Sequence, residues 1–431
     1  MEGWNNKKIE QIGVIHSGST PSTNNPRYWD GDIVWITPYD LSKLSIPYLY
    51  DSCRRITSEG LKSCSASLLP AGSIVLSSRA PIGYVAVPQV DFCTNQGCKS
   101  IKLKEEYDSR FVYYNINFNI NKLKHLGEGT TFSEISKADL AKITMLFPRD
   151  KNEQAQIAEI LSTIDKVIEQ TEAIIEKQTR IKTGLMQDLL TKGIDENGNL
   201  RFEETYEFKD SPIGRIPVEW DTKELGKCAY VTKLAGFEYT NYFDYGVGGD
   251  IIALRALNIK NERLDLSDIQ RIPTAVSNKL QRSKIFAEDI LITYIGAYIG
   301  DVLRIEENDR YHLAPNIAKI VAGNSLNPRF LEVFLRSNLV QQQIRNLTAV
   351  TATPSLTMTQ IRKLLVAIPR DIDEQDEIAL RIHSASDALN SLEAESNKLH
   401  SLKTALMQDL LTGKVSVTKL LNRRGELTEA L

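Results

Sequence analysis

An internal repeat constrains the fold of this chain more than any other feature. Residues 181–191 read Ile-Lys-Thr-Gly-Leu-Met-Gln-Asp-Leu-Leu-Thr, and residues 402–412 read Leu-Lys-Thr-Ala-Leu-Met-Gln-Asp-Leu-Leu-Thr, at an offset of 221. Glu153-Gln154 returns as Glu374-Gln375 at the same offset. A duplicated chain builds two similar modules on one frame. Such a frame suits a partner that repeats along an axis, and duplex DNA is the commonest such partner.

The repeat includes two long helical segments. Residues 151–191 contain no proline and one glycine, and residues 373–412 contain neither. Apolar residues recur every seven positions in both, which predicts two helices of about 40 residues, on the order of 60 Å long. Gly413 is placed to cap the second helix. An apolar stripe this wide is expected to be buried, most simply by antiparallel packing of the two helices with a globular module at either end. The alternative is that the segments are unrelated and pair with other chains.

The remaining sequence forms two mixed, strand-rich modules. Short β-branched runs broken by Gly and Pro predict strands in the first module, for example at 33–36, 73–76 and 84–87. The predicted fold is therefore mixed α/β, with two globular domains separated by an antiparallel coiled coil and a pseudo-twofold internal repeat. The predicted boundaries are 1–149 (first domain), 150–192 (first helix), 193–214 (linker), 215–370 (second domain), 371–414 (second helix) and 415–431 (tail).

Charge and cysteine content narrow the class of protein. The net charge is −3, but residues 1–149 carry +3 and residues 206–369 carry +2, so the excess acid lies in the helices, linker and tail. A locally basic face can bind phosphate even when the whole chain is acidic. Five cysteines without a Cys-x-x-Cys pair predict reduced thiols in a cytoplasmic protein. We expect no signal peptide and no membrane helix, because no apolar run is long enough.

The sequence offers little for catalysis. It has no Walker motif, no convincing nuclease carboxylate cluster, and its five histidines lack metal-ligand spacing. Asn24-Asn-Pro-Arg-Tyr28 superficially resembles an amino-methyltransferase loop, but no Gly-rich turn for a methyl donor precedes it, so we interpret it as a turn. Asn327-Pro-Arg-Phe330 is interpreted as the start of a helix. We therefore expect no catalytic residues, no metal and no cofactor.

Candidate DNA-binding residues lie on loops of the first module. Base edges are read by forked donors and acceptors, with Arg pairing to guanine and Asn or Gln to adenine. Ser78 and Arg79 follow a predicted strand and precede a proline. The other candidates in this module form a turn region and a separate basic pair: Asn95, Gln96, Lys99, Arg54 and Arg55.

The second module offers counterparts with different side chains. Tyr294 and Tyr298 occupy the place of the Ser-Ser-Arg turn and are expected to be exposed, and Asn316 and Lys319 match the Asn95 region. A further polar group follows a predicted strand: Arg255, Asn258 and Lys260. Each of these residues is alternatively an ordinary loop side chain. For Asn95 and Asn316, retention in both copies fits a shared structural turn better than it fits two different readouts.

The repeated helix ends predict a second kind of contact. The run Leu-Met-Gln-Asp is identical in both copies, which suggests that both ends bind the same partner protein. Alternatively, each run packs only against its own module. The residues are Leu185, Met186, Gln187, Asp188, Leu406, Met407, Gln408 and Asp409.

Several of these motifs together resemble a known family. They are Ser17-Gly-Ser-Thr-Pro21, the segment 28–36, Asp40-Leu41, the segment 212–220, the paired Glu-Gln helix starts and the paired Leu-Met-Gln-Asp-Leu-Leu-Thr helix ends. The chain resembles the specificity subunit of type I restriction–modification enzymes over nearly its whole length. The second module lacks a copy of the first motif and has Leu234-Ala-Gly-Phe-Glu238 there, so it is expected to belong to a different recognition subgroup.

The resemblance implies a non-catalytic subunit with two target-recognition domains. Each domain would read one half of a split, asymmetric site in double-stranded DNA. The helices would set the spacing and dock two methyltransferase subunits, and nuclease/translocase subunits would join the same complex. Two alternatives stay open at this point: a coiled-coil adaptor without DNA readout, and a stand-alone DNA-modifying enzyme.

Overall fold

A computed structural model describes residues 3–44, 46–127, 134–260, 262–349 and 354–417. The chain divides into two compact units. Unit 1 comprises residues 1–174 and 392–431, and unit 2 comprises residues 175–391. Each unit therefore contains one globular module and a part of both long helices. Across the described ranges, every helix is too short or too polar to span a lipid bilayer.

Unit 1 contains a five-stranded sheet, a three-stranded sheet and an isolated strand pair. Its elements up to the first long helix are β1 (Trp4–Lys8), α1 (Ile9–Ile12), β2 (Gly13–Ser17), β3 (Trp29–Ile36), α2 (Pro38–Ser42), β4 (Tyr48–Leu49), β5 (Arg55–Ile56), α3 (Ser58–Lys62), β6 (Ile74–Ser77), β7 (Val85–Pro88), β8 (Phe92–Thr94), β9 (Cys98–Leu103), α4 (Ser109–Phe118), α5 (Ile120–Gly127), α6 (Lys137–Lys142), β10 (Thr144–Pro148) and α7 (Lys151–Lys192). The strand orders are β2-β9-β6-β7-β4, β5-β3-β8 and β1-β10. The main core joins one face of the larger sheet to α4 and to segments of the long helices.

Unit 2 repeats this arrangement with four strands in its larger sheet. Its elements after α7 are β11 (Phe208–Ser211), β12 (Gly214–Pro217), β13 (Trp220–Glu224), α8 (Leu225–Cys228), β14 (Ala229–Lys233), α9 (Gly236–Tyr242), β15 (Ile251–Leu254), β16 (Ile259–Lys260), β17 (Arg263–Leu264), β18 (Gln270–Ile272), α10 (Thr274–Lys279), β19 (Ile290–Thr293), β20 (Val302–Arg304), β21 (Tyr311–Leu313), β22 (Ile317–Ala322), α11 (Pro328–Arg336), α12 (Asn338–Thr348), α13 (Met358–Arg362), β23 (Leu365–Pro369) and α14 (Ile372–Leu411). The main sheets have the orders β14-β22-β19-β20 and β18-β15-β21.

The two modules share one topology. The pair β1·β10 corresponds to β13·β23, and the row β2-β9-β6-β7 corresponds to β14-β22-β19-β20. In each smaller sheet the central strand has one antiparallel and one parallel neighbour, with β3 pairing parallel to β8 and β15 parallel to β21. The internal repeat predicted from the sequence is therefore a repeat of the fold.

Helix caps also repeat at matching places. Asp108 and Asn327 cap α4 and α11, and each side chain accepts hydrogen bonds from two N–H groups of the first turn. Ser136 and Thr357, which are 221 residues apart, cap α6 and α13, and each side chain accepts from the N–H three residues later. Asn327 thus begins a helix, as predicted.

Gln154 and Gln375 explain why one glutamine is kept in both copies. Gln154 Oε1 accepts from the N–H of Asp108 at 2.9 Å, and Gln375 Oε1 accepts from the N–H of Asn327 at 2.8 Å. Each side-chain amide also donates to the proline carbonyl six residues earlier, at 3.2 and 2.9 Å. Both glutamines are buried, so each ties the first turn of a long helix to its module.

The long helices run antiparallel, as predicted. In unit 1, Lys403 Nζ lies 2.7 Å from Asp165 Oδ1, and His400 Nε2 lies 3.0 Å from Glu172 Oε1. Residue numbers on α14 therefore decrease as those of their partners on α7 increase, which is the pattern of an antiparallel pair. In unit 2, buried residues of both helices share one core: Leu189, Leu190, Ile378 and Ile382. Gly413 follows α14 at a φ of +70°, which confirms the predicted cap.

The expectation that the whole apolar stripe is buried was wrong. Ile174 is 47% exposed, and Ile181 and Leu402 are each 48% exposed. A helix pair can cover only the facing part of a wide stripe, so the flanking positions need another surface to bury them.

Candidate nucleic-acid interface

In unit 1, the turn Asn95–Gly97 connects β8 to β9 and organises the neighbouring loops. Asn95 Oδ1 accepts from the N–H of Gly97 at 2.9 Å, and the Asn95 N–H donates to the Ile36 carbonyl at 3.0 Å. Gln96 is exposed at the tip of this turn, where its side-chain oxygen accepts from the Thr20 hydroxyl. Asn95 therefore stabilises the turn by a local side-chain bond, and Gln96 presents its amide to solvent.

Ser78 and Arg79, at the end of β6, have different environments. Ser78 is fully buried, and its N–H and hydroxyl both donate to the Gly97 carbonyl, at 2.8 and 3.2 Å. The side chain of Arg79 is 48% exposed, and its Nε donates to Glu134 Oε2 at 2.9 Å. Of this predicted pair, only Arg79 has a side chain that an external ligand could reach.

Lys99 lies at the start of β9 and is only 5% exposed, so its prediction as a DNA contact needs correction. Its Nζ donates to Glu134 Oε1 at 3.2 Å. Burial alone would raise the pKa of Glu134, but hydrogen bonds from Lys99 and Arg79 outweigh it and lower that pKa. Lys99 is thus an internal counter-ion of a carboxylate, because an ammonium this buried needs a paired charge.

Arg54 and Arg55 form a second basic group in unit 1. The guanidinium carbon of Arg54 lies 3.5 Å from the centre of the Trp29 ring, and the residue is exposed. Arg55 pairs with both carboxylate oxygens of Asp51, at 3.0 and 2.9 Å, and this hydrogen bonding lowers the pKa of Asp51. Arg54 therefore carries the uncompensated charge of this group among the described residues.

In unit 2, Tyr294 is buried rather than exposed, contrary to prediction. It is 7% exposed, its N–H donates to the Asn316 carbonyl at 3.0 Å, and the ammonium of Lys233 lies 5.2 Å from its ring centre. Tyr298 is 39% exposed, as expected. Asn316 adopts a φ of +74°, a left-handed conformation that Asn tolerates, so it too has a structural role in its turn.

The predicted residues after β15 are Arg255, Asn258 and Lys260, and all three bind groups within their own loop. Asn258 is fully buried, and its amide donates to the carbonyls of Asp265 and Asp268 at 2.8 Å each, so it holds this loop together. Arg255 Nη2 donates to Asp268 Oδ1 at 2.8 Å. Lys260 Nζ lies 2.7 Å from Asp265 Oδ2, and this hydrogen bond raises the pKa of Lys260.

Lys319 is not the structural equivalent of Lys99. Ser77 pairs with Cys98 in unit 1, whereas the matching Thr293 pairs with Ile317 in unit 2, which makes Ala318 the counterpart of Lys99. Adjacent strand residues point to opposite faces. Lys319 accordingly lies 5% exposed on the other face, where its Nζ donates to the Lys284 carbonyl at 2.6 Å and lies 3.2 Å from Asp289 Oδ2.

Glu134 was missed in the sequence, although a signal for it was present. Arg79 and Glu134 form an isolated backbone bridge in unit 1, and Ile295 and Ser355 form the same bridge in unit 2. Glu134 and Ser355 are 221 residues apart, and each lies two residues before an equivalent helix cap. Extending the repeat to this point would have marked a position where the backbone is shared and the side chain differs.

The repeated helix ends have matching environments in the two units. Leu185 and Met186 pack partly buried against the unit 2 core, as Leu406 and Met407 do in unit 1. Gln187 and Gln408 are both exposed. Asp188 and Asp409 each pair with a following lysine, at 2.8 and 3.4 Å. The apolar half of the run therefore packs on its own module, and the polar half remains accessible.

The structure thus separates the predicted residues into two groups. The buried group consists of Ser78, Lys99, Asn258, Tyr294 and Lys319. The exposed or partly exposed group consists of Arg54, Arg55, Arg79, Asn95, Gln96, Arg255, Lys260, Tyr298 and Asn316, for which contact with DNA stays a prediction. In the parts of the chain that the structure describes, no cluster of His, Cys, Asp and Glu is arranged to hold a metal ion.

Comparisons with known proteins identify the modules. Residues 1–180 and 217–401 match the family described as type I restriction modification DNA specificity domain. The type I restriction enzyme MjaIX specificity subunit of Methanocaldococcus jannaschii is 27% identical over 423 residues, which cover 97% of this chain and 94% of that protein. The EcoBI specificity subunit of Escherichia coli is 24% identical over 341 residues, covering 77% and 68% of the two chains.

Solved structures show the same fold. The type I restriction-modification S subunit from M. genitalium superposes with a TM-score of 0.60 at 15% identity, covering 94% of this chain and 96% of that one. Because the family matches two stretches that together span most of the sequence, the chain belongs to the type I restriction modification DNA specificity domain family and carries two copies of that domain.

Proposed function

We propose that this chain is the specificity subunit of a type I restriction–modification complex, and that each module reads one half of a bipartite DNA site. One observation carries the proposal. The two modules share one strand topology, while the exposed side chains at equivalent loops differ. A common scaffold with different polar groups suits two sites that are approached in the same way and differ in sequence.

The exposed polar residues supply the chemistry for this role. In the first module, Arg79 and Arg54 offer forked donors for guanine, and Gln96 offers an amide for adenine. In the second module, Tyr298 offers a hydroxyl, and Arg255 and Lys260 offer cationic groups, although both are already paired with aspartates. The cationic residues also neutralise phosphate charge, so binding should weaken as salt rises.

Other subunits would perform the chemistry of the complex. Two methyltransferase subunits would dock on the repeated helix ends, where Gln187 and Asp188 match Gln408 and Asp409 in sequence and in environment. Nuclease/translocase subunits would join the same complex. The chain itself would be non-catalytic and would supply sequence recognition.

Methylation sequencing tests the two-module mechanism. The chain is expressed with its methyltransferase subunits in a host that lacks other modification systems, and the methylated motif is read from the genome. Arg54→Ala should relax one half of the motif and Tyr298→Ala the other half, each at a cost of about 1–3 kcal/mol in discrimination. Relaxation of the same half by both variants, or a motif that is not bipartite, would contradict the proposal.

The helices would set the spacing of the two half-sites. Deleting residues 175–181 and 389–395 together removes seven residues from each helix, or about 10 Å at 1.5 Å per residue. The preferred spacer should then shorten by about three base pairs. A shorter spacer, or loss of methylation at the original spacer, supports this role, whereas unchanged methylation at the original spacer refutes it.

An adaptor without DNA readout is the second candidate, because the exposed Ile174 and Leu402 favour a protein partner on the helices. Retardation of labelled duplexes by the purified complex distinguishes the two functions. Site-preferring, salt-dependent retardation supports recognition, and equal retardation of all duplexes supports the adaptor.

A further inference from the structure

We propose that Glu134 is a positioning residue that holds the guanidinium group of Arg79 as a pre-oriented fork for one base pair of the site read by the first module. The inference rests on the proposed function and adds to it a residue that supports recognition without contacting DNA. It also assigns Lys99 as the counter-ion that holds Glu134 in place.

The geometry divides the Glu134 carboxylate between two cations. Oε2 accepts from Arg79 Nε at 2.9 Å, and Oε1 accepts from Lys99 Nζ at 3.2 Å. Within the described residues, nothing accepts a hydrogen bond from the two terminal nitrogens of Arg79. A bond at Nε fixes the plane of the guanidinium and leaves these nitrogens as parallel donors, the arrangement that pairs with O6 and N7 of guanine.

Hydrogen bonds join the backbone segments that carry the two members of this ion pair. Arg79 and Glu134 form an antiparallel bridge, and the neighbouring Ser78 carbonyl accepts from the Ile135 N–H at 2.8 Å. The Ser78 N–H in turn donates to the Gly97 carbonyl. These backbone bonds place Arg79 and Glu134 side by side, so the carboxylate restricts the remaining freedom of a long arginine side chain.

The burial of Lys99 gives the carboxylate a fixed place as well. The Lys99 side chain is 6% exposed, whereas those of Glu134 and Arg79 are 31% and 48% exposed. The buried ammonium orients the carboxylate from inside the module and leaves the outer oxygen for Arg79. Because there are two cations for one anion, the group keeps a net positive charge, which suits the approach of a phosphate backbone.

Unit 2 indicates that the ion pair is not needed to build this part of the fold. Ile295 and Ser355 form the same bridge there, and Ala318 stands in place of Lys99. The Leu356 N–H donates to the Tyr294 carbonyl at 2.8 Å, as Ile135 does to Ser78. The backbone closes identically without the three charges, so their presence in unit 1 calls for a role beyond stability.

The inference is tested on the complex of the full-length chain with its methyltransferase subunits. The variants are Glu134→Gln, Arg79→Ala, the double variant, and Glu105→Gln as a matched control. Glu105 is an exposed acid just beyond the far end of β9, so its neutralisation makes the same change in net charge away from the proposed site. Binding is measured on the site identified by methylation sequencing and on duplexes with each base pair of both half-sites replaced in turn.

The expected outcome is a local loss of discrimination. Arg79→Ala should reduce discrimination between base pairs by about 5- to 150-fold at one position of one half-site. Glu134→Gln should reduce discrimination at the same base pair by about 2- to 12-fold, because the variant must then immobilise one long side chain on binding. The double variant should be no worse there than Arg79→Ala, and Glu105→Gln should change no base preference.

Three outcomes would overturn the inference. Glu134→Gln could tighten binding to every duplex alike, as removal of a repulsive charge would. It could lower the unfolding temperature without altering base preference, as a purely structural pair would. It could also act at a base pair that Arg79→Ala leaves unaffected. If the wild-type complex showed no sequence preference, the proposed function would fail instead.

Discussion

Glu374 offers a direct test of how the linker after α7 is held in unit 2. It lies in the first turn of α14, is 8% exposed, and accepts hydrogen bonds from three different groups. The Trp220 indole donates to Oε1 at 3.1 Å and the Ile194 N–H to the same oxygen at 3.0 Å. Arg201 approaches both carboxylate oxygens with its two terminal nitrogens. The perturbation we consider is Glu374→Ala.

The magnitude follows from what the truncation leaves behind. The Arg201 side chain is only 10% exposed, so it would become a buried cation without a partner. Breaking a buried ion pair on one side costs about 3–5 kcal/mol. For a unit of 217 residues, each kcal/mol shifts the unfolding temperature by about 2–4 °C. The unfolding temperature of unit 2 is therefore expected to decrease by about 6–20 °C in this variant.

The repeat supplies a matched control for this measurement. Glu153 occupies the same place in the first turn of α7, 221 residues earlier, and no partner for its side chain is found among the described residues. Glu153→Ala should cost no more than about 1 kcal/mol, the usual contribution of an acid near a helix N-terminus. Calorimetry of both variants beside the wild type gives the comparison. Equal and small losses for both would refute the argument from buried donors.

Two further predictions follow from other buried groups. Gln154→Ala and Gln375→Ala should each cost about 1–3 kcal/mol, because each leaves a partly buried cap N–H without its acceptor. Denaturant titration should give similar values for the two variants, and a large inequality would contradict their equivalent roles. Burial lowers the pKa of His312 from its usual 6.5. In acid this histidine therefore binds a proton more readily in the unfolded chain than in the folded protein. Its contribution to the stability of the fold is present above about pH 6.5 and is lost as the pH falls below that value. His312→Gln should reduce the difference in unfolding temperature between about pH 7.5 and 5.5, and an unchanged difference would exclude this histidine as its source.

Much of the framework is encoded locally and could be predicted. Periodic apolar residues, without proline and with a single glycine in the first segment, specify α7 and α14 almost to the residue. Asn327, Gly413 and the paired glutamines identify helix starts and ends, because capping depends on residues within one or two turns. The offset of 221 then implied two modules of one topology, and the strand orders confirm it.

The sequence alone therefore determined the repeat, the two helices and the class of protein, because periodicity, caps and motifs depend on neighbours along the chain. The tertiary structure alone decided which polar side chains remain accessible. Lys99 and Arg79 looked alike as loop cations, yet strand register turned one inward and left the other outside. Glu134, which meets both, lies 35 and 55 residues away from them in sequence, and ion pairs over such distances form only once the sheets have folded.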